Sequence, residues 1–343
     1  MNRIGIICPS EIAFRRFLPA LLQDDRFEFA GIGIASTEEW YGENVEIDRE
    51  KENARIKVEL EKAQKFIDQS KRGQLYMSYN SLVSSGDIDS VYIPLPPSLH
   101  FKWAKIALDN GKHVFLEKPF TTHASDTADL IRLATNKKLA VHENYMFIYH
   151  KQLEVLNGLI KSGEIGDVRL YRITFGFPKR DKNDFRYNKD LGGGALIDAG
   201  GYTVKYASFL LGPTAKVVSS HLNYLPEYEV DMYGTATMVN DNGETAQLAF
   251  GMDCDYKCDI EIWGSKGTIT STRVLTAPVG LEPEYTIKKN QEYETKKLPS
   301  DDAFLKSIGR FYDCINNDAI RIAEYHIIQT ESELLSDVMS LAK

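Results

Sequence analysis

Residues 111–120 read GKHVFLEKPF and combine a buried strand with a charged end. The apolar run 114–116 behind a glycine is typical of a strand covered on both faces of a parallel sheet. Lys118 follows at the carboxyl end of this strand, where ligands bind in open α/β sheets. Pro119 fixes φ and disfavours helix at the lysine, which indicates a stiff, extended segment. A strand-end turn with a solvated lysine explains the spacing equally well.

Length and composition favour a globular protein of two domains. The 343 residues are 43% hydrophobic and 26% charged, within the usual range for such proteins. A net charge of -8 argues against a general nucleic-acid binder, which needs a basic surface. The amino terminus lacks the features of a signal peptide, and apolar runs fall short of the roughly 18 to 20 residues of a membrane span. We therefore expect a cytoplasmic protein.

The cysteines and histidines do not predict a metal site. Cys254 and Cys258 are spaced CxxxC, but their neighbours alternate as in a strand and no second ligand pair lies nearby in the sequence. The seven histidines are scattered. We expect reduced thiols, and no metal.

The first 145 residues alternate strands with helices, which predicts a doubly wound parallel sheet of the dinucleotide-binding Rossmann type. In this interpretation Ser98 caps the helix that Gly111 ends. The predicted strands are 3–8, 27–35, 90–95, 114–116 and 139–142. The predicted helices are 12–22, 81–86, 99–110 and 124–136.

The turn after the first strand carries small residues where a dinucleotide fold places its phosphate loop. Cys8, Ser10 and Ala13 stand at the 0, +2, +5 spacing of a GxGxxG fingerprint. Small side chains still let backbone amides and the helix N-terminus approach a pyrophosphate. Any βα turn can use small residues, so the spacing alone does not establish a cofactor loop.

The second strand ends in Ser36 and Thr37 rather than the acidic residue that usually holds the ribose 2′-OH of NAD. This end favours NADP over NAD. Two glutamates at 38–39 would repel a 2′-phosphate if they faced it, and two arginines at 15–16 could compensate. The charged segment 38–73 is longer than usual and predicts an inserted or lengthened surface helix beside the adenosine, or a contact with a partner subunit.

After residue 145 the pattern changes to long alternating strands, which predicts an α+β domain with a large, open, mostly antiparallel sheet. We place the domains at 1–145 and 146–343, an arrangement that allows the final helices to return to the first domain. The predicted strands are 168–177, 215–224, 229–239, 244–252, 258–264 and 267–272. The predicted helices are 150–162, 195–211, 302–316 and 322–341.

Segment 178–212 holds a second group of polar residues. Asp198 and Tyr202 are spaced i, i+4, so a carboxylate and a phenol share one helix face. A phenol can protonate an alkoxide when a nearby cation favours its ionised form, and Lys118 is a candidate for that cation. Two glycines at 200–201 cost a helix about 1 kcal/mol each, so an element or a ligand must approach closely. A buried hydrogen-bonded pair is the competing interpretation.

A local run of basic residues lies just before this helix in an acidic protein. Its members are Lys179, Arg180, Lys182 and Arg186. Such a run suits a phosphorylated or nucleotide-linked sugar, although charge runs are commonly solvated loops.

Several stretches in order resemble the glucose-fructose oxidoreductase, inositol dehydrogenase and rhizopine-catabolism family, Gfo/Idh/MocA. They are RIGIICPSEIA, IDSVYIPLPPSLH, GKHVFLEKPF, HENYMF and FRYNKDLGGGALIDAGGYTV. The resemblance implies a nicotinamide-binding domain followed by a substrate domain that often forms the oligomer contact. It assigns catalytic roles to Lys118 and Asp198, and to Tyr202 where many members have histidine. The small loop residues, and Thr37 in place of a frequent arginine, depart from the family pattern.

The resemblance also implies two sets of binding residues. Those for the cofactor are Cys8, Ser10, Glu11, Ile12, Ser36, Thr37, Leu95, Pro96, His100, Glu117, Lys118 and Asn144. Those for the substrate are Lys118, Tyr145, Arg186, Asp198 and Tyr202. The predicted activity is NADP- or NAD-dependent interconversion of a ketone and a secondary alcohol on a sugar, by a homodimer or homotetramer. A nucleotide-linked ketosugar is the leading substrate hypothesis. A free-sugar or trans-dihydrodiol dehydrogenase, and a non-catalytic dinucleotide-binding regulator, are the alternatives.

Overall fold

The computed structural model describes residues 1–43 and 45–342. Contacts divide them into two units, each with its own hydrophobic core. The first unit comprises Met1–Thr121, Ser125–Asn144 and Ser307–Ile328. The second comprises Thr122–Ala124, Tyr145–Lys306 and the chain from Gln329 onward. That the chain folds as two domains divided after residue 145 stays a prediction.

The first unit contains a parallel sheet, as predicted. Its six strands within the described residues are β1 (Asn2–Ile6), β2 (Phe27–Gly33), β3 (Gln74–Tyr76), β4 (Ser90–Ile93), β5 (His113–Leu116) and β6 (Val141–Glu143). Their order is β3-β2-β1-β4-β5-β6, so the winding direction reverses between β1 and β4. This is the doubly wound order in which ligands bind at the reversal. The buried strands are near-continuous apolar runs because helices cover both faces.

Helices alternate with these strands. They are α1 (Leu18–Leu21), α2 (Thr37–Tyr41), α3 (Arg49–Ser70), α4 (Tyr79–Ser84), α5 (His100–Asp109) and α6 (Ala124–Lys137). A π-helical turn, Ala13–Phe17, precedes α1. The prediction that Ser98 caps α5 is wrong, because Ser98 lies inside a 3₁₀ turn, Pro97–Leu99, and Leu99 precedes α5 without a side-chain cap. Gly111 follows α5 at φ 76°, a left-handed conformation that suits glycine.

The second unit contains a mostly antiparallel sheet, also as predicted. Its eight strands in the described chain are β7 (Val168–Gly176), β8 (Lys216–Tyr224), β9 (Asp231–Val239), β10 (Thr245–Gly251), β11 (Lys257–Gly264), β12 (Thr268–Thr272), β13 (Glu284–Lys289) and β14 (Glu292–Lys297). Their order is β14-β13-β12-β11-β7-β10-β9-β8, with β7 and β10 parallel. The hairpin of β13 and β14 was not predicted.

Four further helices complete the described chain: α7 (Lys151–Lys161), α8 (Gly201–Leu211), α9 (Ala303–Asn316) and α10 (Asp318–Leu341). A π-helical turn, Leu196–Gly200, leads into α8, which packs on β7 and β10. α10 begins earlier than predicted, because the Asn317 side chain accepts hydrogen bonds from the amides of Ala319 and Ile320. Over the residues described, we find no helix both long and apolar enough to span a membrane.

Candidate active site

The predicted cofactor residues of the first unit follow the carboxyl ends of its strands. Because the strands are parallel, these ends meet at one edge of the sheet. The residues after β1 and β4 flank the point where the winding reverses, and those after β5 include the GKHVFLEKPF lysine, Lys118. The sheet therefore brings residues from five separate segments to one edge: 8–12, 36–37, 95–100, 117–118 and 144.

The loop after β1 is closed by Ser10. Its hydroxyl accepts a hydrogen bond from the Ala13 amide at 3.3 Å, and its carbonyl accepts one from the Phe14 amide at 3.0 Å. Ser10 thus caps the short helical segment that begins at residue 11 and runs into the π-helical turn, and such an N-terminal end favours an anion. Burial, opposed by a hydrogen bond with Tyr79, raises the pKa of the Cys8 thiol to about 12. The thiol is therefore neutral at physiological pH, and Cys8 adds no negative charge to the loop.

The Ser36 and Thr37 hydroxyls, just after β2, both donate hydrogen bonds to carboxylates. The Ser36 hydroxyl donates to Glu38 at 2.9 Å, while Thr37 donates to Glu52 on α3 at 2.7 Å. Glu39 completes a capping box with Ser36 at the start of α2. The hydrogen bond from Arg55, with that from Thr37, lowers the pKa of Glu52 to about 2. The lengthened segment 38–73 is thus connected to the strand end through Glu52.

His100 links the loops after β4 and β5. Its ring nitrogens lie 2.8 Å from the carbonyl oxygens of Leu95 and Pro119, and the residue has no exposed surface. Burial lowers the pKa of His100 to about 4, so the ring is neutral at pH 7 and can donate to only one of the two carbonyls. The imidazole therefore braces the backbone beside Lys118, and any part it has in cofactor binding is indirect.

Glu117 and Asn144 are brought together at the ends of β5 and β6. The Glu117 carboxylate accepts hydrogen bonds from the Tyr92 hydroxyl and the Asn144 amide, each at 2.7 Å. Burial raises the pKa of Glu117 despite these two donors. The peptide bond between Lys118 and Pro119 is cis. The backbone carrying Lys118 is therefore held on one side by Glu117 and on the other by the His100 contact.

A buried hydrogen-bond network holds the Asn144 side chain in place. The Ser307 hydroxyl, on α9, donates to the Asn144 side-chain oxygen at 2.9 Å and lies 2.8 Å from His142 Nε2. His142 Nδ1 lies 2.7 Å from Glu324 on α10, and Glu324 also accepts from Arg310 at 3.0 Å. Sequence reasoning missed this network because its hydrogen bonds from β6 and Asn144 to α9 and α10 join residues more than 160 positions apart. The return of 307–328 to the first unit is what makes it possible.

In the second unit, Asp198 and Arg186 form one ion pair. The guanidinium donates through Nε to Asp198 at 2.6 Å and through Nη1 to Asp184 at 3.1 Å. Burial opposes its charge, but the two carboxylates prevail and raise the pKa of Arg186. Its backbone carbonyl accepts the Gly194 amide at 3.0 Å. Arg186 therefore orients Asp198 and holds the loop against the start of the helix, so any substrate contact is additional to this role.

Asp231 fixes the other side of that helix start. Its carboxylate accepts the Leu196 amide at 2.7 Å and is 7% exposed. Burial raises the pKa of Asp231 to about 6, although the amide hydrogen bonds pull it down. A Cβ on Gly193 would lie 2.3 Å from the Arg186 carbonyl oxygen, and one on Gly194 would lie 2.4 Å from the Asp231 carboxylate. Only glycine fits these two positions.

Tyr202 stands on α8 within an aromatic cluster. Its ring centroid lies 5.3 Å from that of Tyr145, 5.1 Å from that of Phe175 and 5.6 Å from that of Phe147. The side chain is half-buried, whereas Tyr145 is fully buried. Lys205, one turn further along α8, places its ammonium 5.5 Å from the Tyr145 ring centroid. The structure thus brings two predicted substrate residues, Tyr145 and Tyr202, into direct ring contact.

The glycines of this helix are explained by neighbouring side chains. A Cβ on Gly201 would lie 2.1 Å from the Tyr145 hydroxyl oxygen, and one on Gly200 would lie 2.9 Å from Leu196 and 3.2 Å from Phe250. The close approach predicted from the sequence is therefore made by other parts of the second unit. Gly201 in particular lets the Tyr145 ring reach the helix backbone beside Tyr202.

Comparison with known proteins identifies the class. Residues 26–145 match the oxidoreductase family with an NAD-binding Rossmann fold, and residues 154–270 match the GFO/IDH/MocA C-terminal domain. The chain belongs to the Gfo/Idh/MocA family of oxidoreductases, as the sequence motifs predicted.

Individual relatives and solved structures are consistent with this family. The chain is 36% identical over 311 residues to the dTDP-3,4-didehydro-2,6-dideoxy-alpha-D-glucose 3-reductase of Saccharopolyspora spinosa, covering 90% of this chain and 86% of the relative. It is similar to the crystal structure of KijD10, a 3-ketoreductase from Actinomadura kijaniata in complex with NADP and TDP-benzene. That comparison has a TM-score of 0.89 and 31% identity, and covers 100% of this chain and 98% of the other. An aldose-aldose oxidoreductase from Caulobacter crescentus shares the fold at 18% identity, with a TM-score of 0.83 and coverage of 99% and 97%.

Proposed function

We propose that this protein reduces a ketone on a nucleotide-linked sugar to a secondary alcohol, with NADP as its preferred cofactor. The observation that carries the proposal is the similarity to 3-reductases of dTDP-linked ketosugars over nine-tenths of the chain. The predicted catalytic lysine, aspartate and tyrosine all stand in segments that carry the family resemblance. KijD10, which binds NADP, supports the choice of cofactor.

The residues at the edge of the first sheet fit a dinucleotide. Cys8 and Ser10 are small and neutral, and Ser10 starts a helical turn whose amides suit a pyrophosphate. Glu117 and Asn144 provide fixed polar atoms beside Lys118. When bound, the reduced nicotinamide supplies the hydride for the carbonyl carbon.

The chain supplies the proton. Tyr202 is half-buried on a helix and carries a phenol that can protonate the developing alkoxide. We assign to Lys118 the polarisation of the carbonyl oxygen and the stabilisation of the ionised phenol that remains. Asp198, oriented by Arg186 at 2.6 Å, holds a substrate hydroxyl. These three roles follow the family resemblance and are proposals for this chain.

The loop after β7 supports a nucleotide-linked substrate. Lys179 and Arg180 are exposed on this loop, and the Arg180 amide donates to the Tyr187 hydroxyl at 2.7 Å. The rings of Tyr187 and Tyr228 lie 5.1 Å apart, with the Lys179 ammonium 5.5 Å from the Tyr228 centroid. Half-buried aromatic rings beside exposed basic groups suit a base and a pyrophosphate. Asp253 forms an ion pair with Lys179 at 3.2 Å. Arg180 is therefore the better hydrogen-bond donor to a substrate phosphate.

The outer face of the eight-stranded sheet supports a homo-oligomer. In the described chain, helix α8 packs against one face of this sheet, while the other presents Arg172, Glu261 and Trp263 to solvent. Trp263 is 51% exposed in the middle of the sheet, on β11. Large exposed aromatic side chains on a broad sheet face are typical of protein interfaces. We propose that two or four copies associate through this face.

Replacement of Tyr202 by phenylalanine tests the chemistry. We expect Tyr202→Phe to reduce kcat for a dTDP-linked ketosugar by at least roughly tenfold, the low end for a positioned acid, with the Kd for NADP unchanged. Tyr206→Phe is the matched control, since the Tyr206 hydroxyl lies buried on the same helix without a hydrogen-bond partner in the part of the chain that the structure describes. Consumption of reduced cofactor is followed by absorbance.

Absorbance of the reduced cofactor also separates the alternatives, with oxidised cofactor supplied when the substrate is an alcohol. Turnover of free sugars or of a trans-dihydrodiol, with none of the nucleotide-linked ketosugar, would favour the other dehydrogenase activities. Tight dinucleotide binding without turnover of any carbonyl compound would favour a regulatory protein. Unchanged turnover by Tyr202→Phe would remove this residue from the mechanism.

A further inference from the structure

Arg55 lies where the end of β2 meets α3. Its Nη2 donates to the Ala35 carbonyl at 3.1 Å, one residue before the Ser36–Thr37 strand end. Nε and Nη2 together hold the Glu52 carboxylate at 2.8 and 2.7 Å. In a doubly wound sheet, this strand end is where the ribose of the adenosine lies. A guanidinium is therefore fixed at that position by a helix of the lengthened segment 38–73.

One nitrogen of this guanidinium, Nη1, lacks a hydrogen-bond acceptor among the described residues. Arg55 Nη1 is buried and makes no hydrogen bond to any described residue, and the side chain is 9% exposed. A buried guanidinium nitrogen without an acceptor is unfavourable, so such groups in native proteins call for an explanation. Trp40 lies over the guanidinium carbon, 4.9 Å from its ring centroid, and contributes no acceptor in the ring plane. An anionic ligand at the strand end would supply the missing acceptor.

The surrounding charges show why a cation is needed there. Glu38 is exposed and accepts from Ser36, and Glu39 accepts from the amides of Ser36, Tyr79 and Asn80. Three backbone donors offset the charge of Glu39, and solvent screens that of Glu38. Arg15 is no substitute, because its side chain is 70% exposed and paired with Glu11. Arg55 is the buried cation of this strand end, and Glu52 fixes its orientation.

We infer that Arg55 is the residue that recognises the 2′-phosphate of the dinucleotide, taking the part of the arginine that Thr37 replaces. The inference rests on the proposed NADP-dependent function and extends it to a specificity-determining residue. Its ligand class is a phosphate monoester on the adenosine ribose, bound by charge-assisted hydrogen bonds from Nη1. The inserted helix α3 would thereby supply a cofactor contact that the strand end itself lacks.

The test measures dinucleotide binding without the sugar reaction. The Kd values of NADP and NAD are determined by calorimetry for the full-length chain and for Arg55→Gln. Because this substitution leaves Glu52 buried without its cation, the double variant Glu52→Gln/Arg55→Gln is measured as well. Arg132→Gln is the matched control, since Arg132 forms a comparable i, i+3 pair with Asp129 on the exposed face of α6. Thermal unfolding compares the fold of each variant with that of the parent.

We expect both Arg55 variants to bind NADP at least about tenfold more weakly, as for loss of a hydrogen bond to a charged group, with NAD binding within about twofold of the parent. Arg132→Gln should leave the Kd values of both NADP and NAD unchanged. Restoration of NADP binding in the double variant, or equal loss for both cofactors, would overturn the inference. So would a parent chain that binds NAD more tightly than NADP, although the oxidoreductase proposal would stand. A chain that discriminates as predicted but reduces no ketosugar would instead refute the proposed substrate.

Discussion

The contact between Tyr145 and Gly201 provides a direct test of how the second unit builds the surroundings of Tyr202. Gly201→Ala would place a methyl group 2.1 Å from the Tyr145 hydroxyl oxygen and 3.2 Å from the ring carbon that carries it. The ring cannot easily move away, because Tyr145 is 1% exposed and packs against Phe147 and Tyr202. The substitution therefore forces the helix or the ring to shift.

The expected magnitude follows from two opposing effects. Overpacking of this kind costs about 1 to 3 kcal/mol, whereas alanine gains about 1 kcal/mol over glycine in a helix interior. Gly201→Ala should therefore lower the free energy of unfolding by up to about 2 kcal/mol. In a Tyr145→Phe background, the nearest ring atom is the carbon at 3.2 Å, so the clash largely disappears and the helix preference remains. The coupling between the two substitutions should then reach about 1 to 3 kcal/mol.

Urea unfolding of the parent, the two single variants and the double variant measures this coupling. Gly158→Ala on α7 is the control, because a Cβ there meets nothing within 4 Å and should stabilise the chain by up to about 1 kcal/mol. If the effects of Gly201→Ala and Tyr145→Phe add within about 0.5 kcal/mol, the hydroxyl is not what excludes a side chain at position 201.

Two further predictions concern the second unit. The pKa of Asp231 is raised from 3.8 to about 6, so its contribution to stability is full below pH 3.8 and is lost as the pH rises through 6. At roughly 1.4 kcal/mol per pKa unit, Asp231→Asn should gain up to about 3 kcal/mol relative to the parent between pH 4 and pH 7 in urea unfolding, and a pH-independent difference would contradict this. For the sheet face, Trp263→Glu should convert a dimer or tetramer to monomers in light scattering; a monomeric parent, or an oligomer that survives the substitution, would contradict the proposed interface.

Much of the fold follows from local patterns in the sequence. Alternating strands and helices up to residue 145 predict the parallel sheet, and the two-residue alternation after it predicts the antiparallel one. The hairpin of β13 and β14 was not predicted because every residue of its outer strand is exposed and Tyr293 is the one large hydrophobic residue in it. Its turn does carry a signal, since Asn290 and Gln291 have φ values of 49° and 71°, and asparagine favours that conformation.

The site was predicted less completely, for a physical reason. Lys118, Asp198 and Tyr202 stand in motifs that can be recognised in one stretch of sequence. Their supporting contacts join residues far apart, such as Ser307 with Asn144, and periodicity carries no information on such pairs. Arg186 illustrates the difference: its predicted substrate contact stays a prediction, and the structure adds two carboxylate partners that the sequence did not indicate.

The parallel pairing of β7 and β10 has a consequence for redesign of this enzyme. Because β7 lies between β10 and β11, the segment that follows it departs from the centre of the sheet rather than from an edge. Its far end is anchored at the helix start, where Asp231 binds the Leu196 amide. Within the segment, Arg186 adds a third anchor, because its backbone carbonyl accepts the Gly194 amide and its guanidinium holds Asp198. A loop grafted between these anchors would therefore have to keep Arg186 if the helix start and the sheet are to stay intact.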